Sequence, residues 1–284
     1  MILRILSRQT MTNAQRGLLL LSGLVACGLL VGFGQPAVSP TDEKPATTTR
    51  EPIPVDAAPP ELKRLIADGK VKVVYDSDPE FEKAQQGWAT FNLLLEQTFH
   101  FKRTKVPKNG QSLVKAVVTK LTPKIELTHL IRLPASFKAP DIWQSSTLRH
   151  EFDHVAVSLD PRALMLLRHL LEHLPVVELT LEPDEEPSDE RIRQLINEEI
   201  KRRHEAVLEL MRQNNVLLDK VSRHGTRPVP DRAVFFAKLY TKEHLAEMKF
   251  PFVDQVLDLL KSSKYEKVEL RFVPRDPTEP STSP

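Results

Sequence analysis

The sequence predicts an α+β fold, in which a small mixed sheet packs on a helix that carries two histidines and a long helix lies towards the C-terminus. Three stretches predict it. Residues 124–134 alternate apolar and polar side chains and contain β-branched residues, as strands do. Residues 148–159 repeat apolar side chains at three- and four-residue steps without Gly or Pro, which indicates an amphipathic helix. Residues 188–225 keep the same helical periodicity and end at Gly225, a residue type that commonly terminates helices.

The same periodicities predict the order of the remaining elements around these three stretches. The predicted strands are residues 71–75, 114–121, 124–133, 176–181, 233–240 and 267–273. The predicted helices are residues 79 to about 99, 148–159, 161–174, 188–225 and 242–260. Strands 114–121 and 124–133 are expected to pair through a turn at Thr122-Pro123, shortly before the histidine helix.

The chain has 284 residues, enough for one substantial domain with appendages. Residues 1–34 contain several arginines and then an apolar run that ends at Phe33, and they predict an N-terminal membrane anchor or signal segment. Residues 35–60 are rich in Pro and Thr and predict an extended linker. The folded domain is therefore expected at residues 61–273, followed by a disordered tail at 274–284.

The N-terminal segment also predicts where the protein is located. Its positive flank favours a cytoplasmic N-terminus with the folded domain outside the cytoplasm, in the periplasm or beyond it, as in a membrane-anchored bacterial envelope protein. A secreted form and a lipoprotein stay open, since residues 24–27 resemble a lipobox. Cys27 is the only cysteine, so the exported part has no disulfide and no thiolate metal ligand. The net charge of +2, with interspersed signs, does not favour a nucleic-acid partner.

Residues 150–154 read H-E-x-x-H and carry the strongest functional signal. Residues four apart on a helix lie on one face, so His150 and His154 can bind one metal ion together. Glu151, beside the first histidine, can then act on a water molecule held at that ion. Because good N-cap residues precede this helix, the motif stands in the expected context. The sequence therefore predicts a zincin-like metalloprotease domain whose cofactor is Zn²⁺.

This interpretation assigns roles to several residues. Glu151 is the expected general base in the hydrolysis of a peptide or protein substrate. A donor that stabilises the oxyanion is open among Tyr240, Arg223 and Arg227, which follow the long helix. The strand at 125–133 is expected to form the rim of the cleft, where a substrate peptide can add as an extra strand.

A second motif lies at residues 218–225, which read L-D-K-V-S-R-H-G. With the H-E-x-x-H helix and a preceding apolar strand that ends in Leu133-Pro134, it resembles an uncharacterised bacterial family described as predicted secreted zinc-dependent proteases. The motifs of that family are H-E-x-G-H and Y-D-x-x-T-x-H-G. The resemblance covers roughly residues 70–226 of this chain.

The resemblance implies that His150 and His154 bind zinc with Glu151 as the general base. It also implies that His224 is a third zinc ligand, and Asp219 could orient a zinc-bound histidine through a hydrogen bond. The chain departs from the family motifs at three positions: Asp153 replaces a Gly, Leu218 a Tyr and Ser222 a Thr.

The residues by themselves leave the third ligand open. Asp160 follows the histidine helix at a spacing seen for third ligands, but it also suits the cap of the next helix. Glu199 and Glu205 lie on the predicted long helix, Glu199 on its apolar face. His224 could equally cap the long helix, because a cationic side chain is stabilised at the negative C-terminal end.

Two rival interpretations also stay open. His169, Glu172 and His173 form H-x-x-E-H, an inverted zinc motif, on the next predicted helix. The domain could instead be a catalytically inactive zincin-fold binding or scaffold protein of the envelope, or its H-E-x-x-H could be accidental, with Glu151 and Asp153 as ordinary exposed charges. His100, His129, His204 and His244 have no partner at metal-binding spacing and are expected to be surface or core residues.

Overall fold

The computed structural model describes residues 3–5, 50–84, 86–137, 142–182 and 184–268. Within them it shows an α+β fold with a six-stranded mixed sheet. The strands are β1 (Leu3–Ile5), β2 (Arg50–Pro52), β3 (Val71–Asp76), β4 (Trp88–Lys108), β5 (Gln111–Pro134) and β6 (Val177–Leu181). The α-helices are α1 (Pro60–Ala67), α2 (Pro79–Ala84), α3 (Ser146–Ser158), α4 (Pro161–Glu172), α5 (Asp189–Ser222), α6 (Arg232–Lys238), α7 (Lys242–Glu247), α8 (Leu257–Leu260) and α9 (Ser263–Glu266).

The sheet has the strand order β1-β4-β5-β3-β2, and β6 pairs with β5. The β3–β5 pair is parallel and the other described pairs are antiparallel. β4 and β5 form a long hairpin whose turn is Asn109-Gly110, with φ angles of 52° and 78°. Positive φ at both turn residues is the geometry of a tight two-residue hairpin turn, which the Asn-Gly pair favours.

Two sequence-based expectations for this hairpin are wrong. Residues 79–99 contain only the short helix α2 and then continue into β4, whose aromatic and β-branched side chains suit a pleated strand. β5 runs through Thr122-Pro123 without a turn. The amide of His129 donates to Lys70, on the side of β5 away from β4. Pro123 is separated from His129 by an even number of positions, so its backbone nitrogen also points away from β4. The N–H that proline lacks would therefore not have bonded to β4, and this strand pair loses no hydrogen bond.

α6 replaces the strand that was expected at residues 233–240. The apolar run there has a buried residue, Phe236, and an exposed one, Val234, so only one side of the segment meets the core. Arg232, the first residue of α6, forms an ion pair with Asp153 on α3. The expectation failed because a short apolar run has no periodicity that separates a strand from a half-buried helix.

The last predicted elements are also shorter than expected. The helix expected at 242–260 stops after α7 and resumes only in α8. Lys249, with a φ of 53°, and Pro251 interrupt it between the two. The strand expected at 267–273 is not observed at its first two residues, and residues 269–273 lie outside the described part of the chain.

Part of the segment expected to be a linker belongs to the fold. β2 pairs with β3, and Ile53 and Ala58 are buried. β1 pairs with residues 95–97 of β4, so three residues of the expected anchor segment are described as a strand. The rest of residues 1–34 and the expected tail at 274–284 lie outside the described residues. Among the described helices, none is both long and apolar enough to cross a membrane.

α3 lies between two hydrophobic clusters. Ala156 and Val157 belong to the larger one, which also takes in the apolar residues of α4 and α5. Leu148, Phe152 and Val155 belong to the second, with residues of β3 and the end of β5. Because α3 is buried on both sides, any polar side chain on it must find its partners inside the protein.

Candidate metal centre

α3 begins at a side-chain cap and is buried along most of its length. Ser145 Oγ accepts a hydrogen bond from the Leu148 amide at 3.1 Å, which confirms the expected N-cap. Every residue from 150 to 158 is buried. Glu151 and Asp153 are therefore not the ordinary exposed charges that an accidental motif would carry.

Two histidines of α3 and one aspartate of α5 converge on a single point. The Nε2 atoms of His150 and His154 lie 3.2 and 3.1 Å from Oδ1 of Asp219, and 3.2 Å from each other. A tetrahedral zinc ion with bonds of about 2.0–2.1 Å separates its ligand atoms by roughly 3.3 Å. The three residues could therefore hold a metal ion of this size.

Asp219 has a different place from the one that the sequence predicted. It was expected only to orient a zinc-bound histidine, but its carboxylate oxygen is one of the three converging atoms. α5 presents Asp219 and Asn215 on the same face because they are four residues apart. Asn215 contacts the other ring nitrogen of His154, with 2.8 Å between its Oδ1 and Nδ1.

His224 lies at the edge of the site and outside the group of three. Its Nδ1 is 3.7 Å from Oδ1 of Asp219, and its side chain is 62% exposed. Its amide donates to the carbonyl of Asp219 at 2.9 Å and its φ is 52°, so its backbone belongs to the left-handed C-terminal end of α5. The backbone of His224 thus belongs to the C-terminal cap of α5, which was the alternative to a ligand role. Its side chain borders the cavity of the site.

We call His150, His154 and Asp219 the metal group, because they could hold a metal ion. Gly225 brings the loop after α5 close to it. Its φ is 74°, and a Cβ there would lie 2.7 Å from Cγ and Cδ2 of His150. Any larger residue would strain the backbone and push the imidazole out of place. The His-Gly pair of the second motif therefore has two roles, because His224 borders the site and Gly225 leaves room for His150.

Glu151 lies beneath the start of β4, next to the two histidines. A Cβ at Gly87 would be 2.6 Å from its Cγ, and the Ala89 amide hydrogen-bonds its carboxylate. Burial raises the pKa of Glu151 above its usual range, against the opposing effect of His154 and His150. A carboxyl group with a raised pKa is suited to accept a proton and return it near neutral pH.

The charges of the site favour a bound cation. Burial disfavours the charged form of His154, but the carboxylates of Asp219 and Glu151 outweigh it and raise the pKa of His154. Two buried carboxylates beside the rings thus attract positive charge, which a metal ion can supply in place of a proton.

A cavity of about 410 Å³ opens over this group. Besides the three converging residues and Glu151, its lining is small or polar and comes from the start of β4, the start of α3 and the loop after α5: Gln86, Gly87, Ala89, Ser146, Thr147, His224, Gly225 and Thr226. Among the described residues, the lining of this cavity includes no large apolar side chain.

The strand that borders this cavity is β4, so the rim strand expected at residues 125–133 is placed wrongly. Residues 129–134 of β5 pair with β3 on one side and with β4 on the other, which leaves no free edge there for a substrate. On its far side β4 pairs only with β1, at residues 95–97, among the described strands. Its beginning, from Trp88, is therefore an edge next to the metal group.

The other carboxylates considered as third ligands are engaged elsewhere. Asp160 caps α4 as its alternative interpretation predicted, since it accepts from the amide of Arg162 at 2.9 Å and pairs with the guanidinium of that residue. Glu199 and Glu205 pair with basic neighbours on α5. They precede Asp219 on the same helix by about 30 and 20 Å respectively, at 1.5 Å per residue. Neither can reach the histidines.

The inverted motif on α4 does not form a comparable group. His169 Nε2 lies 3.1 Å from the carbonyl of Gln255, and His173 Nδ1 lies 2.8 Å from the carbonyl of His169. Glu172 is exposed. In the described part of the chain, no third ligand joins these two histidines.

The candidate oxyanion donors lie away from the cavity. Tyr240 is buried and donates to the carbonyl of Val157 at 3.3 Å, and Arg227 donates to the carbonyl of Val221 at 2.9 Å. Arg223 forms the left-handed cap of α5. None of the three is among the residues that line the described cavity, whereas the exposed ring of His224 is.

Sequence reasoning missed two residues of the site. Asn215 could have been found, because it lies one helical turn before Asp219 and a buried carboxamide on that face needs a partner. Gly87 gave no signal, since it precedes a strand that was expected to be a helix.

No protein-family model, no curated protein and no solved structure matches this chain. The case for a function therefore comes from the chain's own residues. Within the described residues, the strongest chemical feature is a buried group of two histidines and one aspartate that could hold a metal ion.

Proposed function

We propose that this protein is a zinc-dependent metallopeptidase with a zincin-like active site. The observation that carries the proposal is the convergence of His150, His154 and Asp219 beside Glu151 in one cavity. Catalytic zinc sites use three protein ligands and keep one position open, and hydrolytic ones place a carboxylate next to it. This set of residues supplies both.

The chain's own residues divide the work of peptide hydrolysis. His150, His154 and Asp219 would hold the ion, which when bound supplies Lewis acidity that lowers the pKa of water and polarises a carbonyl. Glu151 accepts the proton of the attacking water and passes it to the leaving amine. His224 borders the same cavity with an exposed ring and can donate a hydrogen bond to the oxygen that gains charge.

The substrate is expected to be an extended segment that lies along the start of β4. This edge borders the cavity, and among the described residues it pairs with no other strand before position 95. A peptide can add to such an edge by main-chain hydrogen bonds. The small residues Gly87 and Ala89 leave room for it above Glu151.

A second candidate function is a metal-binding module without hydrolytic activity, and one observation favours it. Glu151 is only 4% exposed, because Gly87 lies against its side chain and the Ala89 amide holds its carboxylate. If this cover stays in place with metal bound, no water reaches the base. For either function, the proposed location is the cell envelope.

The test uses the full-length chain loaded with zinc and an unstructured protein substrate such as casein. Glu151→Gln keeps the shape of the side chain but removes the base, and general-base removal lowers rates by roughly 10²–10⁴-fold. We expect this variant to keep its zinc and to lose hydrolysis. Glu172→Gln, the same change in the inverted motif, is the matched control and should keep both.

The outcomes separate the two functions. Stoichiometric zinc without hydrolysis in the wild-type chain would support the binding module. Hydrolysis that persists at the wild-type rate in Glu151→Gln would show that Glu151 is not the base. Wild-type protein that binds no zinc would overturn both proposals.

A further inference from the structure

Asn215 holds a buried amide whose two ends have different partners. Its Nδ2 lies 2.8 Å from the carbonyl of Met211 and 3.2 Å from Oγ of Ser158. Its Oδ1 lies 2.8 Å from Nδ1 of His154. The orientation is fixed, because turning the amide around would place two carbonyl oxygens against each other at 2.8 Å.

The amide orientation determines where the neutral ring of His154 carries its proton. An amide oxygen can only accept, so Nδ1 of His154 must donate and therefore bears the hydrogen. The neutral imidazole has one N–H, which leaves a lone pair on Nε2. Nε2 is the atom that faces Asp219 and His150 in the metal group.

Ser158 closes the arrangement into a ring of hydrogen bonds. Its hydroxyl accepts from Asn215 and donates to the carbonyl of His154 at 3.1 Å. Asn215, Ser158 and His154 are all buried, with exposures of 4, 1 and 5%. A buried network in which both ends of the Asn215 amide are bonded fixes side-chain direction more firmly than a single exposed contact does.

We infer that Asn215 is a positioning residue, which holds the Nδ1–H of His154 and thereby fixes the ring with Nε2 facing the metal position. The inference rests on the metal-binding half of the proposed function and needs no peptide hydrolysis. Hydrogen-bond partners of this kind set the tautomer and direction of metal-binding histidines. The chain gains a preformed ligand.

His150 shows what is missing without such a partner. Its Nδ1 is buried and has no hydrogen-bond partner among the described residues. Gly225 lies against the Cγ and Cδ2 atoms of its ring. Asn215 thus fixes the Nδ1 side of His154 by a hydrogen bond, whereas the Nδ1 side of His150 has none.

The chain also contains a matched control, one residue away on α5. Asn214 Oδ1 lies 2.7 Å from Nε2 of His244, and both residues are buried. This pair has the same chemistry as Asn215 and His154, but it does not belong to the metal group. Asn214→Leu therefore removes a comparable buried bond away from the site.

The test is the tautomer of His154 in metal-free, full-length protein labelled with ¹⁵N-histidine. Two-bond ¹H–¹⁵N spectra at a pH where the rings are neutral show which nitrogen carries the proton, and His154→Gln assigns the signal. We expect Nδ1–H in the wild type and in Asn214→Leu, and a shift towards Nε2–H in Asn215→Leu. Asn215→Asp, which keeps an acceptor, should restore Nδ1–H.

Metal affinity provides the second readout, measured by competition with a zinc chelator. Loss of such a partner lowers affinity by about 10–100-fold. We expect this loss in Asn215→Leu, a smaller effect in Asn215→Asp and none in Asn214→Leu. Equal losses in Asn214→Leu and Asn215→Leu would reduce the effect to general destabilisation and overturn the inference.

The wild-type spectrum decides even where a variant fails to fold. Nε2–H, or an even mixture of tautomers, on His154 in the wild type overturns the role of Asn215. A wild type with Nδ1–H that nevertheless binds no zinc would refute the proposed function and leave this arrangement of His154 standing. The two failures are thus distinguishable.

Discussion

Two histidine pairs stand on consecutive helices of this protein, and only one of them is part of a candidate metal group. His150 and His154 on α3 and His169 and His173 on α4 have the same four-residue spacing, and each pair has its rings in contact, with centroids 4.6 and 4.2 Å apart. On α3 both Nε2 atoms face Asp219. On α4 the rings are engaged by main-chain carbonyls. The four-residue spacing brings two histidines together on a helix, but a candidate metal site also needs a third ligand from another element.

The surroundings of the two pairs differ as much as their ligands. α3 lies between two hydrophobic clusters, so His150 and His154 are 8 and 5% exposed. His173 is exposed at the end of α4. Buried imidazoles and carboxylates interact strongly with a cation because little water screens them. This difference in burial cannot be read directly from the sequence.

Zinc content is the property in which the two pairs should differ most. His150→Ala and His154→Ala each remove an Nε2 ligand, so bound zinc should fall from about one ion per chain to nearly none. His169→Ala and His173→Ala should keep the wild-type amount, because their rings face main-chain carbonyls. Metal analysis of the four full-length variants after gel filtration measures this. Similar losses from both pairs would contradict the contrast between them.

Asp219 and His224 should divide the next largest effect. Asp219→Ala removes a converging ligand atom and should lose most of the bound zinc. His224→Ala should keep its zinc and lose hydrolysis, because His224 lies 3.7 Å from Asp219 at the edge of the group. Metal content and casein hydrolysis, measured on the same samples, separate the two. Zinc loss in His224→Ala with normal zinc in Asp219→Ala would restore the ligand set implied by the family resemblance.

Zinc should also stabilise the protein through the first pair alone. A ligand that binds only the folded state adds about 2.7 kcal/mol when its free concentration is 100 times Kd. Wild type and His173→Ala should show this gain in urea unfolding with and without zinc, and His154→Ala should show none. A zinc-dependent gain that survives in His154→Ala would place the stabilising ion elsewhere.

The smallest effect concerns the glycine that packs on the first pair. Gly225→Ala and Gly110→Ala both place a side chain at positive φ, 74° and 78°, which costs roughly 1–2 kcal/mol. Only the first adds a Cβ that meets the ring of His150; nothing lies within 4 Å at Gly110. Both variants should unfold more easily, and only Gly225→Ala should also weaken zinc binding. If both lose affinity equally, His150 is not held by this contact.

The sequence was informative where local chemistry decides the structure. Ser145 caps α3 and Asp160 caps α4, as their side chains predict, and α5 extends almost to Gly225. The same rules failed at β4, because its run of apolar and aromatic residues fits a helix face as well as a strand, and only pairing with β5 decides. The rules also failed at Pro123, where a turn was expected but β5 continues. A proline is tolerated within a strand when its missing N–H would face the side that does not pair there.

The candidate site shows the same division. The spacing on α3 was enough to predict that His150 and His154 share a face. It could not say whether Asp219 or His224 meets them, because Asp219 lies in the last turn of α5, His224 lies just after the helix, and both border the same cavity. That choice depends on how α5 crosses α3, which is a property of the packed core and not of either helix alone.

The position of the metal group has a consequence for the chain as a polymer. His150 and Asp219 are 69 residues apart in sequence, so an ion held between them would tie α3 to α5 and close a loop of that length. The conformational entropy that the chain loses on closing such a loop grows only slowly with loop length. A loop of this length therefore costs only moderately more entropy to close than a short one. With Cys27 as its only cysteine, the chain can form no internal disulfide. A bound ion would then act as a reversible crosslink between α3 and α5, which depends on metal supply and not on redox state.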